Sequence, residues 1–497
     1  MAINKVSNKK LDEEFEVDGL WWLPDALDNK VSGTLFFNRN EIKLEIMGAF
    51  RDEVGFQELF AEPKAPFEIV HGQSGHGEEF TLFKANYSFD GGMKSYTGFK
   101  SEVYRVSSFI VGGHFPDSTN IAFHSCTIYP TYLTAWLDKS PITMELIRNS
   151  KDYNIETATA NYKNIDTFSY KVGVLEAEIE ECYRANFTLD NFRENLHWKF
   201  ASGIKVVASN DRDMEWFNDR GVELKNLFSI LIGEGVYFKN IYFLGELKDS
   251  DSLEKGIRDR KGYAYFITQR DYRDKEKFTN RDILINFDDV KEQLGGLLNN
   301  WFKKSENLKE IYKLYFGILY SEVVHIESSL LKTIQILEIY HRNKYNGMVF
   351  SVDKFNLEKK KLKGLSKRNL AKEVHVKMME SIGRSNEFSL KMRLAELIND
   401  FSGETQKELI GDENDVKKFI KQLVDTRNYL AHYDADRKPN LLTTIDEKFY
   451  GIQRLKALVT LILFVELGMS EEFVMKKIKS SKHFSYSIAK AKELLND

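Results

Sequence analysis

Residues Asp425 to Asp434 read DTRNYLAHYD, so Arg427, Asn428 and His432 bring together a fixed positive charge, an amide and a titratable imidazole. An arginine can hold a phosphate through two hydrogen bonds and keeps its charge throughout the physiological range. A histidine takes and returns protons near neutrality. Together these groups suit cleavage of a phosphodiester without a metal ion. The histidine would draw the proton from a neighbouring 2′-hydroxyl, and the arginine would stabilise the extra negative charge on the phosphorus oxygens. Such chemistry works on RNA and not on DNA, which lacks that hydroxyl. On a helix Asn428 and His432 are four apart and share a face, whereas Arg427 and His432 lie about 140° apart. The pair converges only if the helix ends near His432 or if two copies of the stretch face each other. On spacing alone the same residues also fit an amphipathic helix whose Arg427 and His432 are merely solvated. Tyr433 is placed to stack a base, although an aromatic beside a bundle core also serves for packing.

Other constellations read as structural. Arg368-Asn369 followed by His375 repeats the residue types at a spacing that shares one helix face, but its lysine-rich flank reads as an exposed surface. His71, His76 and Glu78 lie in HGQSGHGE, a glycine-rich loop without a third well-spaced metal ligand. In His124-Ser125-Cys126 neighbouring side chains of a strand point to opposite faces, so Cys126 reads as core rather than as a nucleophile. Trp21 and Trp22 would suit a glycan- or partner-binding face, with at least one of them expected in a core. Neither a GxxxxGK[ST] phosphate loop nor an HExxH motif occurs. No metal and no cofactor is expected.

The elements that must position these groups differ along the chain. Residues 15 to about 290 carry short strand-like runs. Val31 to Phe37 and the alternating Ile42 to Met47 are joined by the polar turn Asn38-Arg39-Asn40-Glu41, as in a hairpin. Further strands are expected at Glu79–Phe83, Val103–Val111, Ile121–Tyr129, Phe168–Leu175, Ile204–Ala208 and Val236–Phe243, giving a sandwich or barrel, in one lobe or two. From about Glu306 the apolar spacing becomes helical, with Leu308, Ile311, Tyr312, Tyr315 and Phe316 on one face. Helices are expected over 367–382, 385–402, 413–432, 443–467, 470–479 and 485–495. Breaks are expected at Asn346-Gly347, Gly364, Gly383, Gly411 and the loop Asp434 to Asn440. The lysine-rich segment 345–366 reads as a mobile or extended connection. The fold class is thus α+β and multidomain: a β-rich region over 1–300, with a sub-boundary near 165, and an all-α bundle over 301–497.

Charge divides at the same place. From Trp301 to Asp497 there are 35 Lys+Arg and 27 Asp+Glu, against 71 and 75 in the whole chain, so the helical part is basic and the β-rich part acidic. An excess of positive charge is what a polyanion-binding surface needs, and nucleic acid is the commonest polyanion. Two cysteines exclude a disulfide framework or a Cys-rich zinc site. The opening MAINKVSNKKLDEEFE has no apolar core of a secretory signal. The apolar run Ala457 to Val465 is far shorter than the roughly 20 residues needed to cross a bilayer. A cytoplasmic protein with no membrane contact is expected.

Several ordered stretches resemble a known family. Gly19-Leu20-Trp21-Trp22-Leu23-Pro24, Val31-Ser32-Gly33-Thr34-Leu35, Leu44-Glu45-Ile46, His71-Gly72, Glu79 to Leu82 and Val111-Gly112-Gly113-His114-Phe115, leading to Leu133 to Leu137, are similar to the N-terminal domain of the ApeA-type HEPN proteins of bacterial anti-phage defence. Ile336 to Arg342 and Arg427 to Asp434 resemble helices of their HEPN domain. The resemblance spans nearly the whole chain. It implies an endoribonuclease that acts as an abortive-infection effector, built as a homodimer whose active site combines the Arg-x4–6-His motifs of two protomers. It implies Arg427 as a group that binds the phosphate or orients the histidine, His432 as general base or acid with the second protomer's copy in the complementary role, and Asn428 as a group positioning His432 or the 2′-hydroxyl, with RNA (tRNA among the candidates) as substrate. Glu338, which shares a face with His341, would support the site or serve as a structural ion-pair residue. The β-rich region would then sense a phage-derived protein trigger or restrain the nuclease. The alternative is a HEPN-like bundle that binds RNA or protein without cutting.

Overall fold

The computed structural model describes residues 5–51, 65–88, 101–117, 121–149, 153–189, 196–246, 260–270, 272–275, 277–321, 325–383, 385–432 and 440–496. The chain divides into two compact units, Met1–Gly295 and Gly296–Asp497.

In the first unit β1 (Phe15–Trp22), β2 (Val31–Phe37), β3 (Ile42–Met47), β4 (Phe67–Ser74), β5 (Glu79–Tyr87) and β6 (Ser101–Val111) follow one another round a closed barrel. The order is β6-β3-β2-β1-β4-β5, with β5 pairing back onto β6, and all six pairings are antiparallel. Closure follows from the alternation of the strands. In β3, Ile42, Leu44 and Ile46 are buried while Lys43 and Glu45 face outward. Closing the sheet also removes the unpaired edges that an open one would expose. Trp21, Leu35, Phe37, Phe80 and Phe109 are almost fully buried.

The same sheet continues from β6. β7 (Ala122–Pro130), β10 (Ser169–Val172), β11 (Ala177–Leu189), β12 (Leu196–Asp213), β13 (Phe238–Glu246) and β14 (Arg260–Ile267) extend it in the order β14-β13-β7-β12-β11-β10. β8 (Ile142–Arg148) and β9 (Ile155–Tyr162) form a separate exposed hairpin. Two short helices, α1 (Leu133–Leu137) and α3 (Phe287–Val290), accompany the sheet. The strand-like run expected at Phe168–Leu175 is shorter, because its end, Gly173–Leu175, turns into a 3-10 helix.

The sequence pattern does not predict one helix of this unit, α2 (Met214–Ile232), which packs on β7 and β12. Its signals are local. Asp213 caps it by accepting from the Trp216 amide at 2.7 Å, and Gly233 closes it at a φ of 84°. The apolar run Leu227 to Ile232 hides the period, since a helix end that is buried on all sides shows no polar face.

The second unit is helical: α4 (Leu294–Leu319), α5 (Ile326–Lys344), α6 (Val352–Asn369), α7 (Lys372–Gly383), α8 (Leu390–Asn399), α9 (Gly403–Leu409), α10 (Glu413–His432), α11 (Ile445–Glu466), α12 (Glu471–Ser480) and α13 (Lys482–Asn496). The apolar run Ala457 to Val465 lies in α11, whose residues from Gly451 to Phe464 are nearly all buried. α11 therefore forms the centre of the bundle, against α5, α12 and α13.

Two expectations for this unit are corrected. The segment 345–366 is largely the helix α6 rather than an extended connection. Ser351 caps its start by accepting from the Lys354 amide at 3.4 Å, Asp353 sits in the first turn, and Lys367 and Arg368 lie in the last. That arrangement complements the helix dipole at both ends, and it outweighs the cost of about 1 kcal/mol for Gly364 in the interior. Consequently Arg368 and His375 do not share a helix face, because α6 ends at Asn369 and His375 belongs to α7. The His375 Nδ1 instead meets the Ser366 hydroxyl at 2.8 Å.

Candidate active site

α10 presents the arginine–histidine stretch. Val416, Phe419, Ile420, Leu423 and Thr426 are buried at spacings of three and four, which anchors one face of the helix in the bundle. Asp412 caps its start, accepting from the amides of Asn414 at 2.7 Å and Asp415 at 3.0 Å. Arg427 is half-buried, whereas Asn428 and His432 are exposed on the last turns. Arg427 Nη1 donates to Asn428 Oδ1 at 3.3 Å. Because α10 stays helical through His432, the separation of about 140° between Arg427 and His432 persists within one chain. Tyr433 lies outside the described residues, as does most of the expected loop 434–440.

The chain is held on both sides of that loop. The Thr426 hydroxyl, buried on α10, accepts from the amide of Leu442 at 2.9 Å, and Asn440 Nδ2 reaches Asp425 Oδ2 at 3.4 Å. No sequence pattern points to either bond, since the partners are 15 or 16 residues apart and only folding brings them together.

α5 carries the second group of named residues. Glu338 pairs with Arg342 on its own helix at 3.1 Å, and Arg342 also reaches Glu387 at 3.0 Å. The bond to Glu387, with that to Glu338, holds the Arg342 guanidinium above its ordinary pKa. His341, on the same turn, is fully buried between α5 and α8. Its Nδ1 accepts from Arg393 Nη1 at 3.0 Å, and its Nε2 lies 2.6 Å from Glu396 Oε2. A guanidinium can only donate, so Nδ1 is bare and Nε2 carries the proton towards Glu396. Arg393 is itself buried and also donates from Nε to the Phe388 carbonyl at 3.1 Å. Burial, with the charge of Arg342 next, lowers its pKa from the ordinary arginine value. Sequence reasoning misses Arg393 and Glu396, because nothing marks them apart from other charged residues of an amphipathic helix.

The remaining candidates take structural places. His71 lies on β4 and His114 just beyond β6. His71 Nε2 donates to the Phe115 carbonyl and His114 Nε2 to the Gly72 carbonyl, each at 2.9 Å, with the rings 4.8 Å apart. Burial pushes His71 below its ordinary pKa; the bond to Phe115 opposes this and the neighbouring His114 adds to it. The two short stretches His71-Gly72 and Gly113-His114-Phe115 thus latch each other. Trp21 and Trp22 are both buried, so neither ring offers a free face to a sugar. Cys126 is buried, which raises its thiol pKa far above the ordinary value. Among the described residues no three His, Cys, Asp or Glu side chains gather as metal ligands, and no helix is long and apolar enough to cross a membrane.

Comparison with known proteins agrees with this division. Residues 16–301 match the model of ApeA N-terminal domain 1, and residues 331–473 match that of the Apea-like HEPN domain. No curated protein and no solved structure matches significantly. The first match covers the barrel and the sheet that grows from it, and the second takes in α10 with Arg427, Asn428 and His432. With both domains present in this order, the chain belongs to the ApeA-type HEPN proteins.

Proposed function

We propose that this protein is a metal-independent endoribonuclease that acts as an abortive-infection effector against phage. The observation that carries the reading is the pairing of an Apea-like HEPN domain with Arg427, Asn428 and His432 at the solvent-facing end of α10. His432 takes the proton of a ribose 2′-hydroxyl, the oxygen forms a bond to phosphorus, and the bond to the 5′-oxygen of the next nucleotide breaks. The leaving oxygen needs a proton, which the partner's His432 supplies. Products are a 2′,3′-cyclic phosphate and a 5′-hydroxyl. Arg427 neutralises the charge that grows on the phosphorus oxygens, and Asn428, bonded to it, orients the guanidinium. The 140° between Arg427 and His432 favours a homodimer, in which the arginine of one protomer serves the histidine of the other. Glu338 supports the turn of α5 through Arg342, and Tyr433 stacks a base. The acidic first unit restrains the nuclease until a phage-derived protein binds.

The test is incubation of the full chain with total RNA in EDTA, with end-group analysis of the fragments. Cleavage that leaves cyclic phosphates and is lost in His432→Ala supports the reading. RNA that stays intact with wild-type protein under inducing conditions, together with unchanged toxicity of the variant in cells, overturns it.

A further inference from the structure

α6 and α7 form a hairpin that takes little part in the bundle. The two helices pack on each other, Ser366 is the one buried residue of α6, and α7 has none. A helix pair that buries so little contributes little to the core. Its composition is also distinctive. Between Ser351 and Gly383 there are nine Lys or Arg and four Asp or Glu, in a chain whose net charge is −4.

The charges are arranged. Lys360, Lys363 and Lys367 are three and four apart, fall within about 60° of one another around the helix and lie within about 11 Å along its axis. All three are exposed, and none joins an ion pair among the described residues. Lys361, on another face, is neutralised by Glu358 at 2.7 Å. Like charges on neighbouring turns destabilise a helix. A stripe of them on a projecting element is what a polyanion-binding surface requires. Exposed Leu357, one turn before Lys360 and about 60° from it around the helix, borders the lysines and offers apolar contact to an unstacked base.

We propose that the α6–α7 hairpin is an arm that grips single-stranded RNA through the Lys360–Lys363–Lys367 stripe. The inference rests on the ribonuclease reading and adds where the substrate is held. An arginine at the cutting site meets one phosphate. The arm meets several others without regard to sequence, so it governs affinity rather than the choice of bond.

The experiment uses full-length His432→Ala protein and a labelled single-stranded RNA over a series of salt concentrations. In that background Lys360→Gln/Lys363→Gln/Lys367→Gln is expected to lower affinity at least tenfold at low salt. The slope of log affinity against log salt should shrink by about 2, given roughly 0.7 for each phosphate that is no longer neutralised. A control with the same loss of charge, Lys417→Gln/Lys479→Gln/Lys490→Gln, removes lysines already paired with Glu413, Glu408 and Glu493 and is expected to change the slope by less than half as much. Unchanged affinity and slope in the hairpin variant, or an equal loss in the control, overturns the proposal. So does a hairpin variant that keeps its RNA affinity while Leu357→Ser/Leu365→Ser changes the oligomeric state, since the hairpin is then a protein-binding element. The two readings separate cleanly. RNA binding that depends on the stripe, with no cleavage by wild-type protein and no difference in toxicity between wild type and His432→Ala in phage-infected cells, removes the nuclease. Cleavage with an affinity indifferent to the stripe removes the arm.

Discussion

Thr426→Val isolates the hydrogen bond that fixes the chain beside the candidate active site. The substitution preserves side-chain shape and removes only the acceptor. In the folded protein the Thr426 hydroxyl accepts from the Leu442 amide at 2.9 Å, and both residues are buried. Without that oxygen the amide is left unpaired away from water, at a cost of about 1–3 kcal/mol. Thr426→Ser keeps the oxygen and loses one buried methyl, a cost of about 0.8 kcal/mol by area alone. Global stability alone would not separate the two variants. The Leu442 amide does, because hydrogen exchange reports the opening of that bond. Exchange of a peptide covering residues 441–444 is expected to quicken about 5- to 150-fold in Thr426→Val and far less in Thr426→Ser. If the valine variant protects Leu442 as well as the serine variant does, the hydroxyl does not hold this strand of chain and the argument is wrong. On the ribonuclease reading the valine variant should also cut RNA more slowly, since it loosens the attachment of Leu442 to α10.

Further outcomes can be checked independently. His432→Ala should lower RNA cleavage by about 10²- to 10⁴-fold, the usual contribution of a general acid or base; a single-turnover assay showing less than a threefold change would remove His432 from the chemistry. The barrel should lose stability in acid. His71 has a lowered folded pKa, so the unfolded chain binds its proton more readily. The contribution of the neutral imidazole is complete above the ordinary histidine value of about 6.5 and fades as pH falls through the lower folded value. Urea midpoints at pH 7.5 and pH 5 should therefore differ less in His71→Gln than in wild type, and equal differences would refute the assignment. Gly72→Ala should destabilise the barrel by about 1–3 kcal/mol, because an added Cβ would stand 2.2 Å from the ring of buried Trp21; denaturation at the wild-type midpoint would contradict that packing. Arg393→Ala strands the His341 Nδ1 and the Phe388 carbonyl, and a fall in melting temperature is expected from the two unpaired acceptors.

Local periodicity was enough for much of this protein. The alternation in Ile42 to Met47 sets a barrel strand, since adjacent side chains of a strand point to opposite sides. The stripe from Val416 to Leu423 sets α10 over the expected residues 413–432, since its apolar positions recur once per turn. The types and spacing of Arg427, Asn428 and His432, and their 140° separation, also follow from sequence and helix geometry alone. What tertiary structure decided lies between elements. Closure of β5 onto β6, the continuation of the sheet from β6 through β14 and the mutual latch of His71 and His114 join segments tens of residues apart, for which no local pattern exists. The same holds for His341, whose spacing from Glu338 suggests a shared role. It turns instead to Arg393 and Glu396 on α8, because its side of α5 is buried and a buried imidazole must find partners there. α6 departs in the other direction. Its lysine-rich sequence reads as a mobile or extended connection, and what makes it a helix is the cap at Ser351 and the packing of α7 along one side. Spacing along the chain therefore determines which groups an element carries. Which groups meet depends on long-range burial, where every polar atom removed from water needs a partner that only the assembled fold can supply.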